Sequence, residues 1–192
     1  MSRVDFPVPD PNTVPDGSRE LLSNVEAKFG FTPNLTRILA QSPQALEGYL
    51  TLSQLFGNTS LEPVEREVVI LAVSYANACD YCMAAHSTGA RMGGVPDEIV
   101  DALREGRPLS DSKLETLRSF TESVVRNRGW PSDDDVRSFL EAGFTKPQVF
   151  EVLLGVTMKT LSNYTNHIAD TPVDEPFSGE RWEPSTTAHA GA

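Results

Sequence analysis

Apolar residues recur every three or four positions along nearly the whole of this chain, and almost no stretch alternates apolar with polar residues as a half-buried strand would. That spacing lines one face of a helix with side chains that must be buried against another helix. The expectation is an all-α fold, punctuated by proline and glycine. Leu21, Leu22, Val25 and Phe29 form one stripe that stops at Gly30. Ser42-Pro43 opens a second, because proline is tolerated at the first helical position; it runs through Leu46, Tyr49, Leu50, Leu52, Leu55 and Phe56 to Gly57. Pro63 opens a third through Glu67, Val68, Leu71, Val73 and Tyr75; Asn77 interrupts it, and a fourth continues to Gly93-Gly94. Pro96 starts a short fifth over 97–104, and Ser110 is placed to cap a sixth carrying Leu114, Leu117, Phe120, Val124 and Val125. Ser132 precedes Val136, Phe139 and Leu140 before Gly143 stops that run. Thr145 with Gln148 fits a capping box that opens a long apolar helix from Val149 to about Asn163.

A chain of 192 residues suffices for one sizeable core. One helical domain over 18–171 is expected, after an extended proline-rich arm, 1–17, and before an irregular tail, 172–192. The end of that tail, from Ser185, is small and polar enough to be disordered. The proline-started segments beginning at Leu61 and at Phe144 resemble each other, a faint internal repeat of two halves.

Sixteen Lys and Arg against 27 Asp and Glu leave a formal charge of −11, with no basic run. Such a surface repels phosphate backbones and anionic headgroups, so neither nucleic acid nor a membrane is an expected partner. The longest apolar run, 68–73, is too short to span a bilayer. The opening MSRVDFPVPDPNTVPDG has prolines and acids where a secretion signal needs a basic and then an apolar segment, so a cytoplasmic location is expected. Two cysteines, three apart, in a chain this large read as redox or metal chemistry rather than a disulfide framework.

Cys79, Cys82 and His86 fall at i, i+3 and i+7, which places them on one helical face. Asn77 reads as the cap of that helix, putting both cysteines in the first turn or two, where backbone N–H groups and the helix dipole favour a thiolate. His86 is then placed to exchange a proton with Cys82, and the second cysteine of the pair can capture a sulfenic acid formed on the first. Competing readings are two buried small residues, or a zinc site of Cys79, Cys82 and His86 completed from afar by His167. Haem attachment needs a histidine directly after the second cysteine, where Met83 stands. No metal or cofactor is expected. Glu65 reads as a solvated carboxylate at a helix N-terminus, whereas Glu67 aligns with Leu71, Ser74 and Ala78 toward the cysteines and fits the base of a proton relay; both rows are apolar, so spacing does not choose between them. Tyr81 points off the shared face and reads as packing. Asn163 and His167, one turn apart, read as a polar helix end, and His189 sits in the tail.

From Glu67 to His86 the chain reads E-x11-C-D-Y-C-x3-H, which strongly resembles the core motif of the alkylhydroperoxidase D-like (AhpD-like) branch of the carboxymuconolactone decarboxylase superfamily. The resemblance covers about 30–178, centres on 61–105, and includes an ending, NYTNHIADTPVDEPF, similar to that of longer peroxidase-related members. It implies an all-helical fold whose subunits interlock as dimers, trimers or hexamers, and an antioxidant peroxidase that reduces alkyl hydroperoxides through a redox-active disulfide. By position, Cys82 is implied to attack the peroxide, and Cys79 to resolve it, more exposed and open to an external dithiol reductant. Glu67 and His86 are implied to form the relay that deprotonates Cys82, which settles the choice between the glutamates. Tyr81 departs from members that work with a dedicated peroxiredoxin and lipoyl partner, which often have histidine there. The alternatives are a non-catalytic thiol redox sensor, and a cysteine-independent decarboxylase or lyase using Glu67 and His86.

Overall fold

A computed structural model describes residues 4–184. Among them the chain is helical, without strands: α1 (Asp16–Phe29), α2 (Asn34–Leu39), α3 (Pro43–Gly57), α4 (Pro63–Ala76), α5 (Asp80–Met92), α6 (Asp97–Glu105), α7 (Ser112–Arg126), α8 (Asp133–Glu141), α9 (Lys146–Ala169) and a 3-10 helix, Glu175–Glu180. The all-α expectation holds. The expected disorder from Ser185 on, and His189, lie outside the described residues.

Most helix starts follow the local chemistry. Pro43, Pro63 and Pro147 sit in first turns, and capping boxes close α4, α8 and α9. The cap of α7 is Asp111 rather than Ser110: its carboxylate accepts from Leu114 N at 2.9 Å. Helix α2 had no expectation, because six residues carry too little periodicity to announce themselves. Helix α9 runs to Ala169, past Asn163, ending only where Asp170 turns left-handed at φ 50°.

Helix α4 is the hub. Residues 68–75 are buried, enclosed by α5, α6, α7 and α9, while α8 closes against α7 through Phe120, Phe139 and Phe144. The two segments that resemble each other in sequence, α4 and α9, pack directly together. Gly155 permits the approach of α9: a Cβ there would stand 2.6 Å from Phe56 and 2.8 Å from Val69.

The segment after Pro172 is folded onto the domain. Asp174 accepts from Asn34 N at 3.1 Å, capping the start of α2. Trp182 Nε1 donates to the Arg104 carbonyl at 2.8 Å, and Glu180 pairs with Arg91 at 2.9 Å and Arg104 at 3.3 Å. At the other end, Arg37 Nε donates to the Pro9 carbonyl at 2.9 Å and ties down the arm. No helix of the described residues is long and apolar enough to cross a membrane.

Candidate active site

The site is made where α4 ends and α5 begins. Asn77 is the last cap of α4, not the first of α5. Ala78 follows at φ 52°, its N–H donating to the Tyr75 carbonyl and that of Cys79 to the Ser74 carbonyl, each at 2.9 Å. This pair of bonds is a Schellman closure, with alanine in the left-handed position that glycine usually occupies. The turn delivers Cys79 as the N-cap of α5, its carbonyl accepting from Met83 N at 3.0 Å, and sets Cys82 in the first turn. Both thiols are free.

Helix α9 supplies the other wall. Asn166 Nδ2 donates to Cys82 Sγ at 3.2 Å and reaches Cys79 Sγ at 3.9 Å, so one amide bridges both sulfurs. Cys82 Sγ also hydrogen-bonds with Ser162 Oγ at 3.8 Å. Lys159, one turn earlier, is 0% exposed; its ammonium makes no hydrogen bond among the described residues, and its charge acts on the Cys82 sulfur. None of these three residues was a sequence candidate. A signal existed, because Lys159, Ser162 and Asn166 fall at i, i+3 and i+7 and so share one helical face.

The two thiols are driven apart in acidity. Burial raises Cys82, but a hydrogen bond from Cys79, the Lys159 charge and the Ser162 hydroxyl overcome it and hold the thiol well below its ordinary range. Cys79 is pushed up by donating to Cys82, by burial and by the charge on its partner. His86 is held well below its usual value by burial and by Lys159, which keeps the imidazole neutral. Glu67 is raised by burial, partly offset by Lys159 and Arg66; its Oε2 is buried without a hydrogen-bond partner. The charge of Lys159 thus acts on Cys79, Cys82, His86 and Glu67 alike.

Several expectations change. Cys79 is not the more exposed cysteine: it is 0% and Cys82 1% exposed, because the Ala78 turn tucks it beneath α9. Glu65 is not solvated: at 4% exposure it pairs with Lys113 at 2.7 Å and accepts from Glu62 N at 2.8 Å, closing the cap of α4. Asn163 does not belong to a polar helix end, since α9 continues; it is buried, its Oδ1 accepting from Asn77 Nδ2 at 2.9 Å. His167 is half-buried and stacks on Tyr164 at 6.2 Å. Tyr81 is a strut: its hydroxyl donates to Asp174 Oδ2 at 2.5 Å and accepts from Leu35 N at 3.3 Å. Among the described residues no group of three or more His, Cys, Asp or Glu is arranged to hold a metal ion.

Residues 43–121 match the carboxymuconolactone decarboxylase family. No curated protein sequence matches the chain. The alkylhydroperoxidase AhpD core structure of a peroxidase-related protein from Ralstonia eutropha JMP134 is 23% identical, with a TM-score of 0.79 over 90% of this chain and 93% of that one. A peroxidase-related protein from Silicibacter sp. TM1040 is 20% identical, with a TM-score of 0.77 over 92% and 94%. A cysteine-to-alanine variant of the debrominase Bmp8, in complex with 2,3,4-tribromopyrrole, is 13% identical, with a TM-score of 0.77 over 94% and 96%.

Proposed function

We propose that the chain, whose residues 43–121 match the carboxymuconolactone decarboxylase family and whose fold is that of an AhpD core, is an AhpD-like member that reduces alkyl hydroperoxides by cycling Cys79 and Cys82 between dithiol and disulfide. The observation that carries this reading is the bridged pair: two free, buried sulfurs held by one amide, that of Asn166. The Cys82 thiolate attacks the terminal peroxide oxygen; an S–O bond forms, the O–O bond breaks, and the departing alkoxide takes a proton to become the alcohol. Cys79 then attacks the sulfenic sulfur, forming the S–S bond and releasing water. An external dithiol returns two electrons and two protons through thiol–disulfide exchange. Glu67, raised by burial, and the neutral His86 carry the protons.

A reducing cytoplasm suits such a cycle, since it keeps the pair in the dithiol form. The outward face of α9, with Phe150, Leu153, Tyr164 and Ile168 exposed, suits assembly with further copies, which light scattering on the purified protein would measure.

Hydroperoxide consumption in the presence of dithiothreitol or dihydrolipoamide tests the reading. Turnover is expected to vanish in Cys82→Ser and to fall steeply in Glu67→Gln. Undiminished turnover in Cys82→Ser would discard it, and activity surviving loss of both cysteines would point to a lyase. The likeness to the debrominase Bmp8 favours a second oxidant, a bromoaromatic, whose C–Br bond would take two electrons from the same dithiol and leave as bromide, hydrogen replacing bromine. Bromide release without peroxide consumption would select it.

A further inference from the structure

Lys159 poses a problem that the reading above does not solve. A cation that no water reaches must face an anion, or burial would drive off its proton. Lys159 projects from the inward side of α9 and is wholly buried, with no carboxylate in salt-bridge contact among the described residues. The titratable groups around Cys82 leave few candidates. From α3 comes Tyr49, a phenol that burial and the Cys82 charge push up, and so neutral. From α5 come Cys79, Tyr81 and His86, each in its neutral form. From α4 comes Glu67, which burial raises and which makes neither a hydrogen bond nor a salt bridge with Lys159 among the described residues. Cys82 remains. The rest of the Lys159 stripe leads to it as well: Ser162 one turn on, and Asn166 two turns on, both bond its sulfur. Tyr81, the residue between the cysteines, is committed to Asp174 and Leu35 and offers no charge.

We propose that Lys159 is the fixed counter-charge of the reactive thiol, a positioning residue on the α9 stripe whose Ser162 and Asn166 bond the Cys82 sulfur. The same cation lies beside the proton carriers, so it also disfavours a second positive charge on His86 and favours the carboxylate of Glu67 after that group has given up a proton. This role rests on the dithiol reading but goes beyond the four motif residues, since it assigns the thiolate to a helix eighty residues away in sequence from the cysteines.

The test is a pH titration of thiolate ultraviolet absorbance in the reduced protein, for the wild type, Lys159→Met, Lys159→Gln and Lys159→Arg. Methionine matches the length of lysine and carries no charge, so the core keeps its packing; glutamine is the second neutral variant, and circular dichroism checks the fold of each. In Lys159→Met and Lys159→Gln the lower thiol titration is expected to move up by about one pH unit or more, which is about a tenfold loss of thiolate at a pH below both midpoints. Lys159→Arg should retain most of the wild-type midpoint. An unchanged midpoint in a folded neutral variant overturns the proposal. The titration is read without peroxide, so the two ideas fail separately: a wild type that titrates low yet consumes no peroxide sinks the peroxidase reading and leaves the counter-charge standing.

Discussion

Tyr81→Phe deletes one hydroxyl between the two cysteines and separates a strut from a proton carrier. That hydroxyl donates to Asp174 Oδ2 at 2.5 Å and accepts from Leu35 N at 3.3 Å, in a side chain 2% exposed. The ring keeps its edge contact with Phe177, centroids 6.3 Å apart, so packing survives the change. Asp174 also survives as a paired group, because Asn34 N still donates to it at 3.1 Å. A hydrogen bond to a charged acceptor contributes about 1.5–3 kcal/mol, and leaving the buried Leu35 N–H unmatched costs about 1 kcal/mol more. The sum is about 3 kcal/mol. For a chain of this size each kcal/mol moves the melting temperature by about 2–4 °C, so a fall of about 6–12 °C is expected by calorimetry. Burial and the Asp174 bond push the phenol up, so it keeps its proton across the working pH range. Peroxide turnover per folded molecule, measured below both melting temperatures, should therefore be unchanged. Loss of a proton carrier would instead cost about a hundredfold in rate. A melting temperature that does not move, with turnover that collapses, would refute the strut and place Tyr81 in the chemistry.

Asn166→Ala removes the one donor shared by both sulfurs; a bond to a charged sulfur of about 1.5–3 kcal/mol corresponds to a rise of about 1–2 units at Cys82, read as slower sulfenic acid formation near neutral pH under stopped flow. His86 is held neutral, so the folded chain binds fewer protons there than the unfolded chain: its contribution is complete above about pH 6.5 and is lost as pH falls below that, which urea unfolding at successive pH values should show and His86→Asn should flatten. Glu67 works in the opposite sense, its raised pKa favouring the fold while it is protonated, and that contribution disappears as pH rises through the folded value, a dependence absent from Glu67→Gln. Ala78→Gly relieves a left-handed alanine at φ 52° and should stabilise the protein by about 1 kcal/mol, seen as a higher midpoint in denaturant; a loss of stability would mean that the turn is not strained.

Local chemistry was legible and long-range polar pairing was not. Pro63 at the start of α4, Thr145 with Gln148, and the spacing of Cys79, Cys82 and His86 are each written within one or two turns of chain, where proline geometry and helical period decide the outcome. The junction at Asn77 failed because asparagine can end a helix or begin one, and the left-handed residue that settles the matter is an alanine, without the glycine that usually marks it. Glu65 misled in the same way: its burial depends on Lys113, which arrives from α7. The hardest case is α9. Four polar residues in its second half, Lys159, Ser162, Asn163 and Asn166, lower its apolar character so far that the helix reads as finished, although all four are buried and α9 continues to Ala169. Their partners, Cys79, Cys82 and Asn77, are contributed by the end of α4 and the start of α5. A polar residue that looks out of place on an apolar helix is therefore better read as one half of a buried pair whose other half is elsewhere in the sequence. Here that other half was the cysteine motif already in view.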